Sequence, residues 1–148
     1  MPAVFYLVRH GKAEKDAPGG DAARRLTADG RSGFEALARA LAPRLRLRRV
    51  LTSPFARARE TAEVLAALTG ASLEEEEALA SGRSTGRQIL ALLRERGAGT
   101  AAVGHNPEVA DAVALAAGRD VKVRPGTIAQ IGERDGELGW IEAPEKGD

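Results

Sequence analysis

The sequence predicts an α/β fold, a three-layer α/β/α sandwich with a mostly parallel sheet and a C-terminal hairpin. Three observations carry that expectation. Short apolar runs of strand composition at residues 4–8, 50–52 and 100–103 alternate with stretches of helical periodicity. Signals for helix starts and stops fall between those runs. Near the end of the chain, Asp135-Gly136 separates residues 127–131 from 137–141, which reads as an antiparallel hairpin. Strands alternating with helices pack as a sheet with helices on its faces.

In chain order, residues 4–8 form the first strand, and its last residues lead into Arg9-His10-Gly11. Residues 12–25, which contain Pro18-Gly19-Gly20, read as a loop on the same rim. Phe34, Leu37, Ala38 and Leu41 recur at helical spacing and predict a helix over 27–41 that Pro43 ends. The basic residues of 44–49 are expected on a solvated connection. A short strand at 50–52 then enters Ser53-Pro54, where the hydroxyl can cap a helix and the proline can open it. That helix runs to about Thr69, with Gly70 as its stop. The acidic run 74–77 is expected to be simply exposed. Thr85 and Gln88 stand at capping-box spacing before Ile89, Leu90, Leu92 and Leu93, and Gly97 closes that helix. After the strand at 100–103 come Gly104-His105-Asn106-Pro107, in which Asn106 can cap and Pro107 can open a helix to Ala117.

At 148 residues the chain is expected to be one domain spanning 1–148. Its 22 basic residues nearly balance its 21 acidic ones, which argues against nucleic acid or a membrane surface as the main partner. The absence of cysteine removes disulfides and thiolate chemistry. The amino-terminal apolar run is too short to span a bilayer and lacks a basic flank, so a cytoplasmic location is expected. With 3% aromatic residues, the core must be mostly Ala, Leu and Val.

Both histidines of the chain follow an apolar strand directly. Parallel strands bring such carboxyl ends together, and open α/β sheets bind ligands there. Arg9 adds a cation that a buried strand end would not carry without a partner. Gly11 would allow a sharp turn and a close approach to a ligand. Arg57 falls in the first turn of its predicted helix, where the dipole disfavours a cation; it makes sense there if it shares an anion with the helix terminus. Arg59 reads as a surface residue. No cluster has metal-ligand spacing, because two histidines without a nearby acidic pair are poor evidence for zinc.

Together, Arg9-His10-Gly11, the Thr52-Ser53-Pro54 to Arg57-Ala58 segment with Thr61-Ala62, and Gly104-His105-Asn106 resemble the histidine phosphatase superfamily, or phosphoglycerate mutase-like fold. Leu26-Thr27-Ala28-Asp29-Gly30 is similar to the segment preceding that family's first helix. The resemblance spans essentially the whole chain. The short length is similar to the compact phosphohistidine phosphatases of the SixA type, which lack the insertions of longer members. The resemblance implies His10 as a nucleophile that becomes phosphorylated. It implies Arg9, Arg57 and His105 as ligands of the phosphoryl oxygens, Gly11 and Asn106 as substrate-binding positions, and no metal or other cofactor.

Those roles agree with phosphoryl-transfer chemistry, which needs an in-line nucleophile and charge stabilisation around the equatorial oxygens. Neutral imidazole is a competent nucleophile, and two guanidiniums bind phosphate oxygens by fork-shaped hydrogen bonds. One departure stands out. Longer family members carry an acid that protonates the leaving group, whereas Leu79-Ala80-Ser81-Gly82 holds none. Glu14, Asp16 and Glu77 are the alternative proton donors. Without a strong acid an alkyl phosphate is a poor substrate, while the weak P–N bond of phosphohistidine needs less help. The expected function is therefore hydrolysis of phosphohistidine on a protein of the histidine phosphotransfer type. The alternatives are a small phosphorylated metabolite at the same site, or a noncatalytic module that binds a phosphorylated ligand.

Overall fold

The register between β1 (Val4–Arg9) and β4 (Thr100–Gly104) positions everything that follows. The two strands are parallel neighbours with Arg9 opposite Gly104, so the residues just beyond them, His10 and His105, leave the sheet side by side. The computed structural model describes residues 3–145, and in it six strands form one sheet in the order β3-β2-β4-β1-β5-β6. Strand β2 (Arg49–Thr52) pairs in parallel with β4 and with the edge strand β3 (Ser72–Glu75). On the other side, β5 (Ile128–Gly132) runs antiparallel to β1, and β6 (Leu138–Glu142) antiparallel to β5. The expected sandwich with a mostly parallel sheet and a terminal hairpin is the fold observed.

Alternation along β1 divides the core into two layers. Tyr6 and Val8 face helices α1 (Ala28–Leu41) and α2 (Ala56–Thr69) in a cluster with Phe34, Ala38, Ala58, Ala62 and Leu65. Phe5 and Leu7 face α3 (Gly86–Arg96) and α4 (Glu108–Ala117) with Ile89, Leu93, Val109, Ala112 and Val113. Burying a large aliphatic or aromatic side chain contributes roughly 1.5–3 kcal/mol. The two layers therefore hold the sheet's carboxyl edge rigidly without needing many aromatics.

Local sequence signals explain most helix ends. Thr27 caps α1 by accepting from the Gly30 amide, and Gly70 stops α2 in the left-handed region at φ 76°. Thr85 and Gln88 form the full capping box of α3. Two expectations need correction. The helix expected to open at Ser53-Pro54 opens at Ala56; the Ser53 hydroxyl accepts from the Phe55 amide instead of capping a helix. Similarly, α4 begins at Glu108, one residue after Pro107, although Asn106 still accepts from the Ala110 amide at 3.2 Å.

Glu74, Glu75 and Glu77 are exposed as expected, whereas Glu76 is half-buried and bonded to Arg96, and Glu74 and Glu75 belong to an edge strand that no sequence signal marks. Their charges face Arg49, Arg59 and Arg96, and charged side chains on an edge discourage pairing with another sheet. The loop 12–25 contains a short 3₁₀ turn, Asp21–Ala23, and a bridge from Ala13 to Leu26. Among the described residues, no helix is long and apolar enough to cross a membrane.

Candidate active site

His10 follows β1 with its backbone amide donating to the Gly104 carbonyl, which ties it to the end of β4. Its Nδ1 lies 2.6 Å from the Gly11 carbonyl, a pure acceptor, so Nδ1 carries the proton and Nε2 keeps its lone pair. Arg57 Nε donates to that Nε2 at 3.3 Å. Burial pushes the imidazole down to about 4, and the Arg57, Arg9 and Arg24 charges push the same way against the opposing Gly11 bond. The ring is therefore neutral at pH 7, with an unprotonated nitrogen facing a guanidinium.

Gly11 is held from both sides. Its amide donates to Thr61 Oγ1 at 3.0 Å, and that hydroxyl donates to the Arg57 carbonyl one helical turn earlier. The backbone at Gly11 is not in the left-handed region, so the expected sharp-turn role does not apply. Glycine instead fits a tight packing, since a Cβ there would lie 3.2 Å from the Gly30 carbonyl and 3.3 Å from the Leu26 side chain. The close approach is to α1.

Arg57 is 4% exposed, projecting from the second residue of α2. Its Nη1 donates to the Asp21 carbonyl at 2.7 Å and its Nη2 to the Asp21 carboxylate at 3.2 Å. The guanidinium also lies 5.2 Å from the Phe55 ring centre. Asp21 is drawn below the usual carboxylate range chiefly by its bond to Arg24, with Arg57 adding to the effect. Arg9, at the end of β1, donates from Nη1 to the Val123 carbonyl at 3.0 Å, while its buried Nε has no partner among the described residues. Burial lowers the Arg9 pKa, a direction that still leaves a guanidinium charged. Asn106 donates to the same Val123 carbonyl, also at 3.0 Å.

His105 is 2% exposed, and its ring centre stands 5.2 Å from that of His10. Nε2 lies 2.8 Å from Ser53 Oγ, and Phe55 packs edge-on at 5.0 Å. Burial pushes this imidazole down to about 3, reinforced by His10 and Arg57. The structure thus brings Arg9, His10, Gly11, Arg57, His105 and Asn106 to one corner of the sheet. That corner can accept an anion beside its guanidiniums and place it against an unprotonated ring nitrogen.

The three candidate proton donors lie differently. Glu14 is exposed and accepts from the Arg25 amide, Asp16 is exposed, and Glu77, itself exposed, opens a 3₁₀ turn whose Leu79 is buried. None makes a hydrogen bond or ion pair with the His10 group among the described residues. Sequence reasoning passed over Asp21, whose contact with Arg57 depends on loop geometry that no local pattern encodes. It also gave Thr61 no role, although its position four residues after Arg57, on the same helix face, was a usable signal. Among the described residues, no group of three or more His, Cys, Asp or Glu residues gathers in a way that could hold a metal ion.

The fold and this corner define a phosphoglycerate mutase-like α/β domain with two histidines and two arginines at its sheet edge. Residues 5–124 match the family model for the histidine phosphatase superfamily, branch 1, so the chain belongs to that superfamily and is a phosphatase. Three solved structures are similar to it. A protein from Agrobacterium tumefaciens assigned as the phosphohistidine phosphatase SixA superposes with a TM-score of 0.85 at 25% identity, covering 98% of this chain and 100% of that one. The protein histidine phosphatase SixA complexed with tungstate gives 0.81 at 27%, covering 95% and 97%. A phosphoserine phosphatase from Entamoeba histolytica gives 0.71 at 13%, covering 96% and 98%, a likeness of fold. No curated protein matches the sequence.

Proposed function

We propose that the chain, as a single domain over 1–148, hydrolyses phosphohistidine on a protein through a phosphorylated His10. The observation that carries this reading is the paired constraint on His10: Nδ1 bound to the Gly11 carbonyl and Nε2 left as a lone pair against Arg57. Nε2 attacks phosphorus as the bond to the substrate's imidazole breaks, and that imidazole takes a proton from water. A second water then attacks the phosphoryl group, the bond to Nε2 breaks, and inorganic phosphate leaves, the proton given up by that water neutralising the hydroxide left by the first step. Arg9, Arg57 and His105 bind the equatorial oxygens, with Gly11 and Asn106 shaping the pocket. Charge on the transferring group is met by guanidiniums, so the steps call on no metal ion or other cofactor.

The substrate class follows from leaving-group chemistry. Asp21 is the carboxylate in contact with Arg57, and its lowered pKa keeps it ionised near neutral pH, with no proton to give a leaving group. A phosphoramidate tolerates that lack, and an alkyl phosphate does not. The similarity to SixA proteins supports the same substrate class.

Phosphate release from a phosphohistidine-bearing protein, an aryl phosphate and phosphoglycerate, by wild type and His10→Ala, tests the proposal. Fast His10-dependent release from the protein with little from phosphoglycerate is expected. Faster turnover of the small esters would instead point to a metabolite substrate. Phosphate binding with no turnover would point to a binding module.

A further inference from the structure

The proposed reading requires His105 to meet a phosphoryl oxygen, and a neutral imidazole can do so usefully only with an N–H. Which nitrogen holds that proton is decided by Ser53. Its side chain is fully buried, and its Oγ accepts the Phe55 amide proton at 3.1 Å. The hydroxyl's own proton must then find an acceptor. Among the described residues, the one group other than that amide in hydrogen-bond contact with Ser53 Oγ is His105 Nε2, at 2.8 Å. The hydroxyl therefore donates, and Nε2 accepts with its lone pair.

A neutral ring has one proton, so it must sit on Nδ1. That atom is buried and has no partner among the described residues. The opposite tautomer would strand the Ser53 proton without an acceptor and leave an unpartnered lone pair at Nδ1. We propose that Ser53 is a positioning residue that fixes His105 in the Nδ1–H tautomer and holds an unpartnered donor ready for the phosphoryl group. The inference extends the proposed function and rests on His105 acting as a phosphoryl ligand. It also explains why a serine at a strand end serves no helix cap. The hydroxyl is bound to His105 and the Phe55 amide, and Phe55 packs edge-on against the ring so held.

Nitrogen-15 spectra of the imidazoles in the intact protein near pH 7 test this directly. With two histidines, the His10→Asn variant assigns both. The expected wild-type spectrum has His105 protonated at Nδ1 and unprotonated at Nε2, and inorganic phosphate shifts the Nδ1 signal. In Ser53→Ala the Nε2–H form should appear, and phosphate should bind about tenfold or more weakly, as for loss of a hydrogen bond to a charged group. Ser53→Thr, which keeps the hydroxyl, should restore both. A proton on Nε2 of wild-type His105 would overturn the proposal, whether or not any variant folds. An unchanged tautomer in Ser53→Ala would overturn the role of Ser53. An Nδ1–H form that ignores bound phosphate would leave the tautomer standing and overturn the assignment of His105 as a phosphoryl ligand.

Discussion

At the scale of single residues, His10, as the proposed nucleophile, is governed by two opposing demands. A nucleophilic imidazole must be neutral, yet it must lie among cations that bind phosphate. Burial and those same cations satisfy both, since each disfavours the imidazolium form. The protonated form is the inactive one, so kcat/KM should fall as pH drops through about 4, well below the 6.5 of an ordinary histidine. A pH–rate profile on the free enzyme checks this, and an acid limb near 6.5 would mean an exposed ring. Arg57→Ala should cost on the order of 10²–10³ in kcat, the scale of a lost transition-state donor. A loss below about threefold would move that role elsewhere. That His10, Arg9, Arg57 and His105 share one corner was legible because each stands at a strand or helix end next to a recognisable signal. Asp21 stayed hidden, because its contact with Arg57 crosses 36 positions through an irregular loop.

At the scale of elements, the site is made by register and by close approach. The pairing of Arg9 with Gly104 sets the two histidines abreast, and Thr61 on α2 fixes Gly11 from the opposite side. The start of α1 closes the arrangement, since the Lys12 carbonyl lies so near Gly30 that a Cβ there would overlap it. Gly30→Ala gains helix propensity of roughly 1 kcal/mol but must displace the backbone just after His10-Gly11. Net destabilisation of about 1–3 kcal/mol is expected, together with a fall in kcat of about tenfold or more as the nucleophile shifts. Denaturant midpoints and turnover measure the two effects, and an unchanged kcat would detach α1 from the site. Thr27, Gly70 and the Thr85–Gln88 box were legible because a cap is a local exchange of hydrogen bonds. Ser53-Pro54 misled for the complementary reason: its hydroxyl is claimed by His105, a partner 52 positions away.

At the scale of the whole molecule, the layered fold was readable from alternation alone, while the edge strand β3 was not. Its four residues are all exposed and it carries Glu74 and Glu75, so no apolar period announces it. Folding also buries both histidines, and this links stability to pH. Their folded pKa values, about 4 and about 3, lie below the unfolded value of 6.5. Between those limits the unfolded chain binds more protons, so stability falls as pH drops below about 6.5 and continues to fall toward 4 and 3. Urea midpoints should be lower at pH 4.5 than at pH 7, and His10→Asn should reduce the difference. Equal reductions in wild type and variant would place the pH dependence in other groups.

In the proposed reaction the phosphoryl group passes through His10. Brief reaction with a phosphohistidine-bearing protein, an alkaline quench and mass spectrometry of the digested enzyme would test it most directly. One alkali-stable, acid-labile phosphoryl group is expected on His10, absent from His10→Ala and lost as inorganic phosphate appears. A label on another residue, or undiminished turnover by His10→Ala, would contradict it.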